Sequence, residues 1–187
     1  MTFFEFILVI TSVIYALSVA PLLSGLVRVV QSSNPVRHYP PQAIWVGNTF
    51  LMILIMWWSL WGFRSVNWTF SDFAYIAIEP VLLFFACSLL YPQRLDGQQV
   101  DLKSHFEKMS SLFYATFFVL IILVSFDGVA LGIEPIWNVN RYFQAVVLAI
   151  IAWAYVDRRA NSQLVASILY LIAALGFIGM RWFSPPS

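Results

Sequence analysis

Charged side chains are scarce in this chain. Only 10% of its 187 residues are Asp, Glu, Lys or Arg, whereas 61% are hydrophobic. A soluble domain carries roughly 25% charged residues, so this composition excludes a soluble globular protein and indicates a polytopic membrane protein. The net charge of +1 provides no basic surface for a nucleic-acid partner. Membrane lipid is therefore the predicted partner of most of the surface.

The residues that most often carry metal or thiol chemistry are nearly absent. Cys87 is the single cysteine, which excludes an intrachain disulfide, and its apolar surroundings predict an inert packing role. The two histidines, His38 and His105, fall in predicted loop or cap positions, where they cannot sandwich a haem within the membrane. The HExxH, CxxC, GxSxG, P-loop and dinucleotide-binding motifs are also missing. We therefore predict that the protein is not an enzyme and uses no metal or cofactor.

Long apolar runs occupy most of the chain and predict six transmembrane helices. Their approximate ranges are 3–30, 43–63, 71–91, 104–131, 141–156 and 162–183, each close to the roughly 20 residues that a bilayer requires. Ser104 and Glu107 have the spacing of a capping box, which predicts that the fourth helix begins at Ser104. The sequence thus predicts an all-α helical bundle that forms a single transmembrane domain.

The basic residues predict the orientation of this bundle. Seven follow the first, third and fifth spans, and three lie on the opposite side: Arg28, Arg37, Arg94, Lys103, Lys108, Arg158 and Arg159 against Arg64, Arg141 and Arg181. Cytoplasmic loops carry an excess of Lys and Arg, so both termini are predicted to face outward. The general pattern is typical of small bacterial inner-membrane proteins, and this is the location we expect.

Glu79 stands out because it lies midway along the third predicted span and is followed directly by Pro80. A charge in hydrocarbon costs several kcal/mol, so an acid at this depth is a functional candidate. Pro80 lacks an N–H and crowds the carbonyl of Ile76, which weakens the backbone ladder one turn back. This combination predicts a lined cavity or a hinge. Asp72 and Tyr75 share the Glu79 face of a helix and extend it as an acidic, hydroxyl-bearing stripe towards the outer rim.

Other charged residues fall near the outer ends of the predicted spans. Asp127 lies deepest among them, and we expect it to be a second site residue that pairs with Arg141. A structural interpretation remains open: the outer charges form interfacial ion pairs, and a protonated Glu79 bonds to Asn48, Tyr15 or a carbonyl oxygen. The candidate transport or gating residues are Glu79, Pro80, Asp72, Asp127, Tyr75, Asn48 and Arg141.

Two functional hypotheses follow from these patterns. The first is a small channel or transporter for a cation or proton, with Glu79 as the binding or gating group. We expect a homo-oligomer in this case because six short spans enclose little volume. The alternative is a non-catalytic membrane subunit or scaffold that docks a cytoplasmic partner through residues 93–109. A lipid-binding or hydrophobic-ligand protein is a third interpretation, since the chain contains many aromatic residues.

Overall fold

The computed structural model describes residues 3–93, 100–138 and 140–182, and in these ranges the chain folds into six α-helices. They are α1 (Phe3–Val30), α2 (Pro40–Ser59), α3 (Phe70–Leu89), α4 (Leu102–Ala130), α5 (Asn140–Val156) and α6 (Ala160–Trp182). A single 3-10 turn, Leu60–Phe63, extends α2, and two short strands, β1 (Val36–Arg37) and β2 (Val100–Asp101), lie in the connectors. The predicted all-α bundle is confirmed.

The helices have the length and surface of membrane-spanning segments. Five of them are long and apolar enough to cross a bilayer. Their outward faces are apolar as well: Val9, Val13 and Leu17 form a stripe on α1 and are more than half exposed. The chain is therefore a multi-pass membrane protein. With 17 residues, α5 is about 25 Å long, short of the roughly 30 Å hydrocarbon core, so its crossing of the membrane stays a prediction.

Helix starts differ slightly from the predicted ones because other residues cap them. Pro40 and Pro41 occupy the first helical positions of α2, so this helix begins three residues before the predicted position 43. Asp101 caps α4, and its carboxylate accepts the N–H of Ser104 at 3.0 Å. Ser104 consequently lies inside the helix, which starts two residues earlier than its predicted capping box indicates.

Contacts between neighbouring helices form a closed ring. In order around the bundle, the helices are α1, α3, α4, α5, α6 and α2, and α2 returns to α1. We call the end with the α1–α2, α3–α4 and α5–α6 connectors the odd-loop end and the opposite end the even-loop end. The single chain thus encloses an interior without a second copy.

An aromatic cluster fills the ring towards the odd-loop end. Trp45 of α2 is fully buried, and its ring centroid lies 5.1–5.7 Å from those of Phe113, Tyr114, Phe117 and Tyr170. Such aromatic pairs contribute about 0.5–1.5 kcal/mol each beyond their buried area. The cluster joins α2, α4 and α6 through buried ring contacts.

The connectors at the odd-loop end are tied to each other. Strands β1 and β2 pair in parallel, and Arg37 donates to the Asp101 carboxylate at 3.1 Å. The Ser104 N–H and the neighbouring Arg37 together hold the pKa of Asp101 below its usual range. Gln42 adds a hydrogen bond to the carbonyl oxygen of Leu90 at 2.9 Å. These contacts link the beginning of α2 to the end of α3 and the beginning of α4.

Candidate functional site

Two acidic side chains meet in the interior of the bundle. Glu79 projects from the middle of α3 and is 2% exposed, while Asp127 projects from the last turns of α4 and is 8% exposed. The two carboxyl groups lie close enough to act on each other electrostatically, and both border the same cavity. Glu79 Oε1 and Asp127 Oδ1 have no hydrogen-bond partner in the described ranges. Buried polar atoms are nearly always paired, so two orphaned oxygens at one place require an explanation.

The end of α4 sets the position of Asp127. Gly132, with a φ of +69°, adopts the left-handed conformation that ends many helices. The N–H groups of Ile133 and Glu134 then donate to the carbonyl oxygen of Gly128 at 2.8 and 2.9 Å. The Glu134 side chain covers Gly128 so closely that a Cβ there would approach its carbons to 2.8–2.9 Å. The following loop therefore folds over the helix end and keeps Asp127 inside.

A cavity adjoins the carboxyl pair in the half of the bundle nearer the even-loop end. It has a volume of about 100 Å³, and α2 with its 3-10 turn, α3, α4, α5 and α6 all contribute to its wall. Glu79 and Asp127 form the acidic part of that wall. The rest is predominantly apolar and includes Met52, Met56, Phe63, Phe143, Tyr170 and Phe177. The two orphaned carboxyl oxygens thus border a space that can hold a ligand.

Helix α1 adds polar groups that the sequence analysis did not assign to the site. Thr11, Tyr15 and Ser18 are buried on the face of α1 that packs against α3. Tyr15 lies near enough for Glu79 and Asp127 to act on it electrostatically, and its hydroxyl has no hydrogen-bond partner in the described chain. The sequence did contain a signal for this polar stripe. Thr11, Tyr15 and Ser18 are spaced by four and three positions, and residues with this spacing share one helix face.

Pro80 remains within a continuous helix. Helix α3 runs through it from Phe70 to Leu89, and the Ser18 hydroxyl of α1 donates to the Pro80 carbonyl oxygen at 2.6 Å. A proline frees the carbonyl oxygen four residues before it, here that of Ile76, so the bond to the Pro80 oxygen is an additional contact between the helices and does not replace the lost backbone bond. The contact fixes α1 against α3 beside Glu79.

Asp72 and Tyr75 are engaged in structural hydrogen bonds and do not line the cavity. Asp72 forms a capping box with Thr69, whose N–H and hydroxyl both donate to the Asp72 carboxylate at 2.8 Å. The Tyr75 hydroxyl donates to the carbonyl oxygen of Leu123 at 2.7 Å and joins α3 to α4. Asp72 is seven residues from Glu79, about 10 Å along the helix axis.

Asn48 and Arg141 also have partners other than those expected. The Asn48 amide donates to the carbonyl oxygen of Ser167 at 2.8 Å and connects α2 to α6. Arg141 donates to the Ile136 carbonyl oxygen at 3.0 Å and to the Gln144 side chain at 2.9 Å. Within the described ranges no ion pair between Arg141 and Asp127 is formed, and Arg141 Nη2 is buried without a hydrogen-bond partner. Its charge still acts on Asp127.

The structure describes only part of the proposed docking segment 93–109. Residues 94–99 lie outside the described residues, whereas positions 100–109 form β2 and the first turns of α4. The part that is described therefore ties the odd-loop end together.

Chemically, the site offers two buried carboxyl groups beside an apolar cavity. Such an arrangement can hold a proton between the two groups or bind a cation, because a buried negative charge is strongly stabilised by an opposite charge. No protein family, curated protein sequence or solved structure matches this chain.

Proposed function

We propose that this protein is a small multi-pass transporter or channel for a cation or proton, with the Glu79–Asp127 pair as its binding group. The observation that carries this proposal is the pair itself, which is buried against a cavity and retains two unpartnered oxygens. A hydrogen bond between two carboxyl groups contains a proton. An entering cation can replace that proton, because the charge left behind is then compensated.

The packing favours a transporter over a permanently open pore. The cavity occupies the half of the bundle nearer the even-loop end, and the cluster around Trp45 fills the other half. A substrate that reaches Glu79 from one side needs the packed side chains to separate before it leaves on the other. Alternating exposure of one central site meets this requirement.

The location of the protein belongs to the same proposal. In a bacterial inner membrane, the excess of basic residues at the odd-loop end favours a cytoplasmic position for that end, with both termini outside. The cavity then lies in the outer half of the membrane. A cation or proton would reach the carboxyl pair from the periplasmic side.

Flux through liposomes tests the proposal. Purified wild type is reconstituted, a pH gradient or a Na⁺ or K⁺ gradient is imposed, and the internal concentration is followed with an ion-sensitive dye. We expect flux above empty vesicles for wild type, and a loss of about tenfold or more for Glu79→Gln and for Asp127→Asn, the equivalent of about 1.4 kcal/mol.

Glu107→Gln is the matched control, because it makes the same chemical change on an exposed side chain paired with Lys103. It should retain wild-type flux. If wild type and Glu79→Gln both leave every gradient as empty vesicles do, the protein is not a transporter of these ions.

A further inference from the structure

The polar groups of the cavity wall are largely committed to other partners. The Ser59 and Ser125 hydroxyls donate to carbonyl oxygens one turn back on their own helices, at 2.8 and 2.6 Å. The Gln144 side-chain oxygen accepts from Arg141 at 2.9 Å. The unpartnered oxygens of Glu79 and Asp127 are therefore the principal groups available to a ligand.

This wall is poorly suited to a bare inorganic cation. Ca²⁺ takes six to eight oxygen ligands and Mg²⁺ requires an octahedral set, and K⁺ filters replace the whole hydration shell with carbonyl oxygens. Among the described residues, no group of three or more His, Cys, Asp or Glu side chains comes together. Two carboxyl groups on one side of an otherwise apolar space leave most of a metal's coordination sphere empty.

An organic ammonium ion matches both the acidic and the apolar part of the same wall. Its N–H groups can donate to Glu79 and Asp127, and its carbon atoms can contact the apolar remainder. The rings of Phe143, Tyr170 and Phe177 border the cavity, and aromatic faces attract ammonium groups that lie within about 6 Å. The thioethers of the methionine side chains adapt readily to irregular apolar ligands.

The volume limits the size of this ligand. An engineered apolar cavity of about 150 Å³ accepts benzene, and the present cavity measures about 100 Å³. We infer that the cavity binds a small organic ammonium ion of fewer than about six non-hydrogen atoms, with its charged nitrogen at the Glu79–Asp127 pair. This inference rests on the proposed cation-binding role of the pair and names the class of substrate.

Binding of tert-butylammonium to the full-length protein in lipid nanodiscs tests the inference. Saturation-transfer NMR on the single methyl resonance gives the dissociation constant at neutral pH. The neutral isostere tert-butanol has the same shape without the charge, and NaCl supplies an inorganic competitor. We expect saturable one-to-one binding of tert-butylammonium, binding of tert-butanol that is weaker by about tenfold or more, and little competition by Na⁺.

Two kinds of variant distinguish the contribution of the carboxyl groups to binding from that of the cavity volume. Glu79→Gln and Asp127→Asn should each weaken tert-butylammonium binding by about tenfold. Ala174→Leu keeps both carboxyl groups but fills part of the cavity, to whose wall Ala174 contributes, and it should weaken binding as well. Glu107→Gln should bind as wild type does. Thermal unfolding verifies that each variant is folded, and Val147→Phe replaces Ala174→Leu if the latter is not.

Equal affinity for tert-butanol, or unchanged affinity in Glu79→Gln and in the cavity-filling variant, overturns the inference. Glu79-dependent flux of H⁺ or Na⁺ without tert-butylammonium binding overturns this inference alone and leaves the proposed transport function intact. Binding that depends on Glu79 and Ala174, in a protein that moves neither H⁺, Na⁺, K⁺ nor tert-butylammonium through liposomes, supports the inference and removes the transport function.

Discussion

At the scale of single residues, Asp127 is placed where a negative charge is least favoured. It lies near the carboxyl end of α4, whose dipole disfavours an anion there, and it is buried beside a second acid. Arg141 forms no ion pair with it in the described ranges; its Nε and Nη1 donate to Ile136 and Gln144. A proton or a bound cation is what relieves this arrangement. Burying a carboxylate in this position costs free energy, and this cost is the argument for function that a single residue provides.

Substitution of Asn48 tests whether this residue stabilises the fold or takes part in transport. Asn48→Ala removes the hydrogen bond to the Ser167 carbonyl oxygen. Interhelical bonds of this kind contribute about 0.6 kcal/mol on average and at most about 1.7, so we expect a loss of stability of about 1 kcal/mol. The measurement is unfolding in mixed detergent micelles, combined with liposome flux. Because Asn48 is outside the cavity wall, flux should be unchanged, and lost flux at unchanged stability would instead make Asn48 part of the transport site.

The sequence allowed the site to be predicted in part. Glu79 and Asp127 could be singled out because each is an acid within or near an apolar run. That the two carboxyl groups meet depends on how α3 and α4 are aligned along the membrane, and apolar length alone does not determine this alignment. The hydrogen bond from Arg141 to the Ile136 carbonyl oxygen could not be predicted, since this acceptor in the loop before α5 has no signature in the sequence.

At the scale of helices and strands, caps determine where the helices begin. Hydrophobic length predicted the helices, because nearly twenty consecutive apolar residues have few alternatives in a membrane. It could not locate the capping residues Thr69 and Asp101. Nor could it indicate β1 and β2, because two-residue strands have no periodicity to detect.

Asp101 should give the protein a pH-dependent contribution to stability. Its pKa is lowered in the folded protein, chiefly because the Ser104 N–H donates to the carboxylate. The contribution is therefore complete above the unfolded-state pKa near 4 and is lost as the pH falls through the lower folded-state value. Asp101→Asn preserves a capping oxygen but not the charge.

We expect wild type to have the higher Tm at neutral pH and the difference from Asp101→Asn to shrink as the pH falls below about 4, measured by thermal unfolding in detergent. Asp101→Ala loses the cap as well and should unfold at a lower temperature throughout. A difference between wild type and Asp101→Asn that is independent of pH would contradict this account.

The close contact of α1 with the end of α3 predicts opposite effects for two glycines. A Cβ at Gly25 would lie 2.2–2.8 Å from carbon atoms of Tyr91, whereas a Cβ at Gly47 would meet nothing within 4 Å. Gly25→Ala should destabilise the protein by about 1–3 kcal/mol, since overpacking outweighs the gain in helix propensity. Gly47→Ala should stabilise it by about 0.5–1 kcal/mol. Unfolding in detergent measures both, and an equal gain for the two variants would refute the contact.

At the scale of the whole molecule, the ring order of the helices could not be predicted from the sequence. Lipid is as apolar as a buried leucine, so the outward and inward faces of a membrane helix differ little in composition. Exposed Leu17 and buried Leu22 of α1 illustrate this. The closed ring also weakens the reason for which a homo-oligomer was expected, because helices of one chain line the cavity without a second copy.

The orientation and the crossing of α5 can be tested together. Single cysteines are introduced in a Cys87→Ala background by Ser65→Cys, between α2 and α3, and by Asn161→Cys, after α5. Both positions are exposed. Three crossings separate them if α5 spans the membrane, so a membrane-impermeant maleimide should label Ser65→Cys in intact bacterial cells and Asn161→Cys only after lysis.

Labelling of both positions from the same side would mean that α5 does not cross. Labelling of Asn161→Cys alone in intact cells would instead reverse the orientation inferred from the basic residues.

The pairing of β1 with β2 gives the molecule a mechanical asymmetry. It fastens two helical hairpins, α1–α2 and α3–α4, to each other at the odd-loop end, across 64 residues of sequence. Two hairpins that are joined at one end separate most at the other end. A small rotation of one hairpin against the other therefore moves the surroundings of Asp127 far more than those of Trp45. A motion that opens the bundle therefore uncovers the carboxyl pair more easily at the even-loop end than at the odd-loop end.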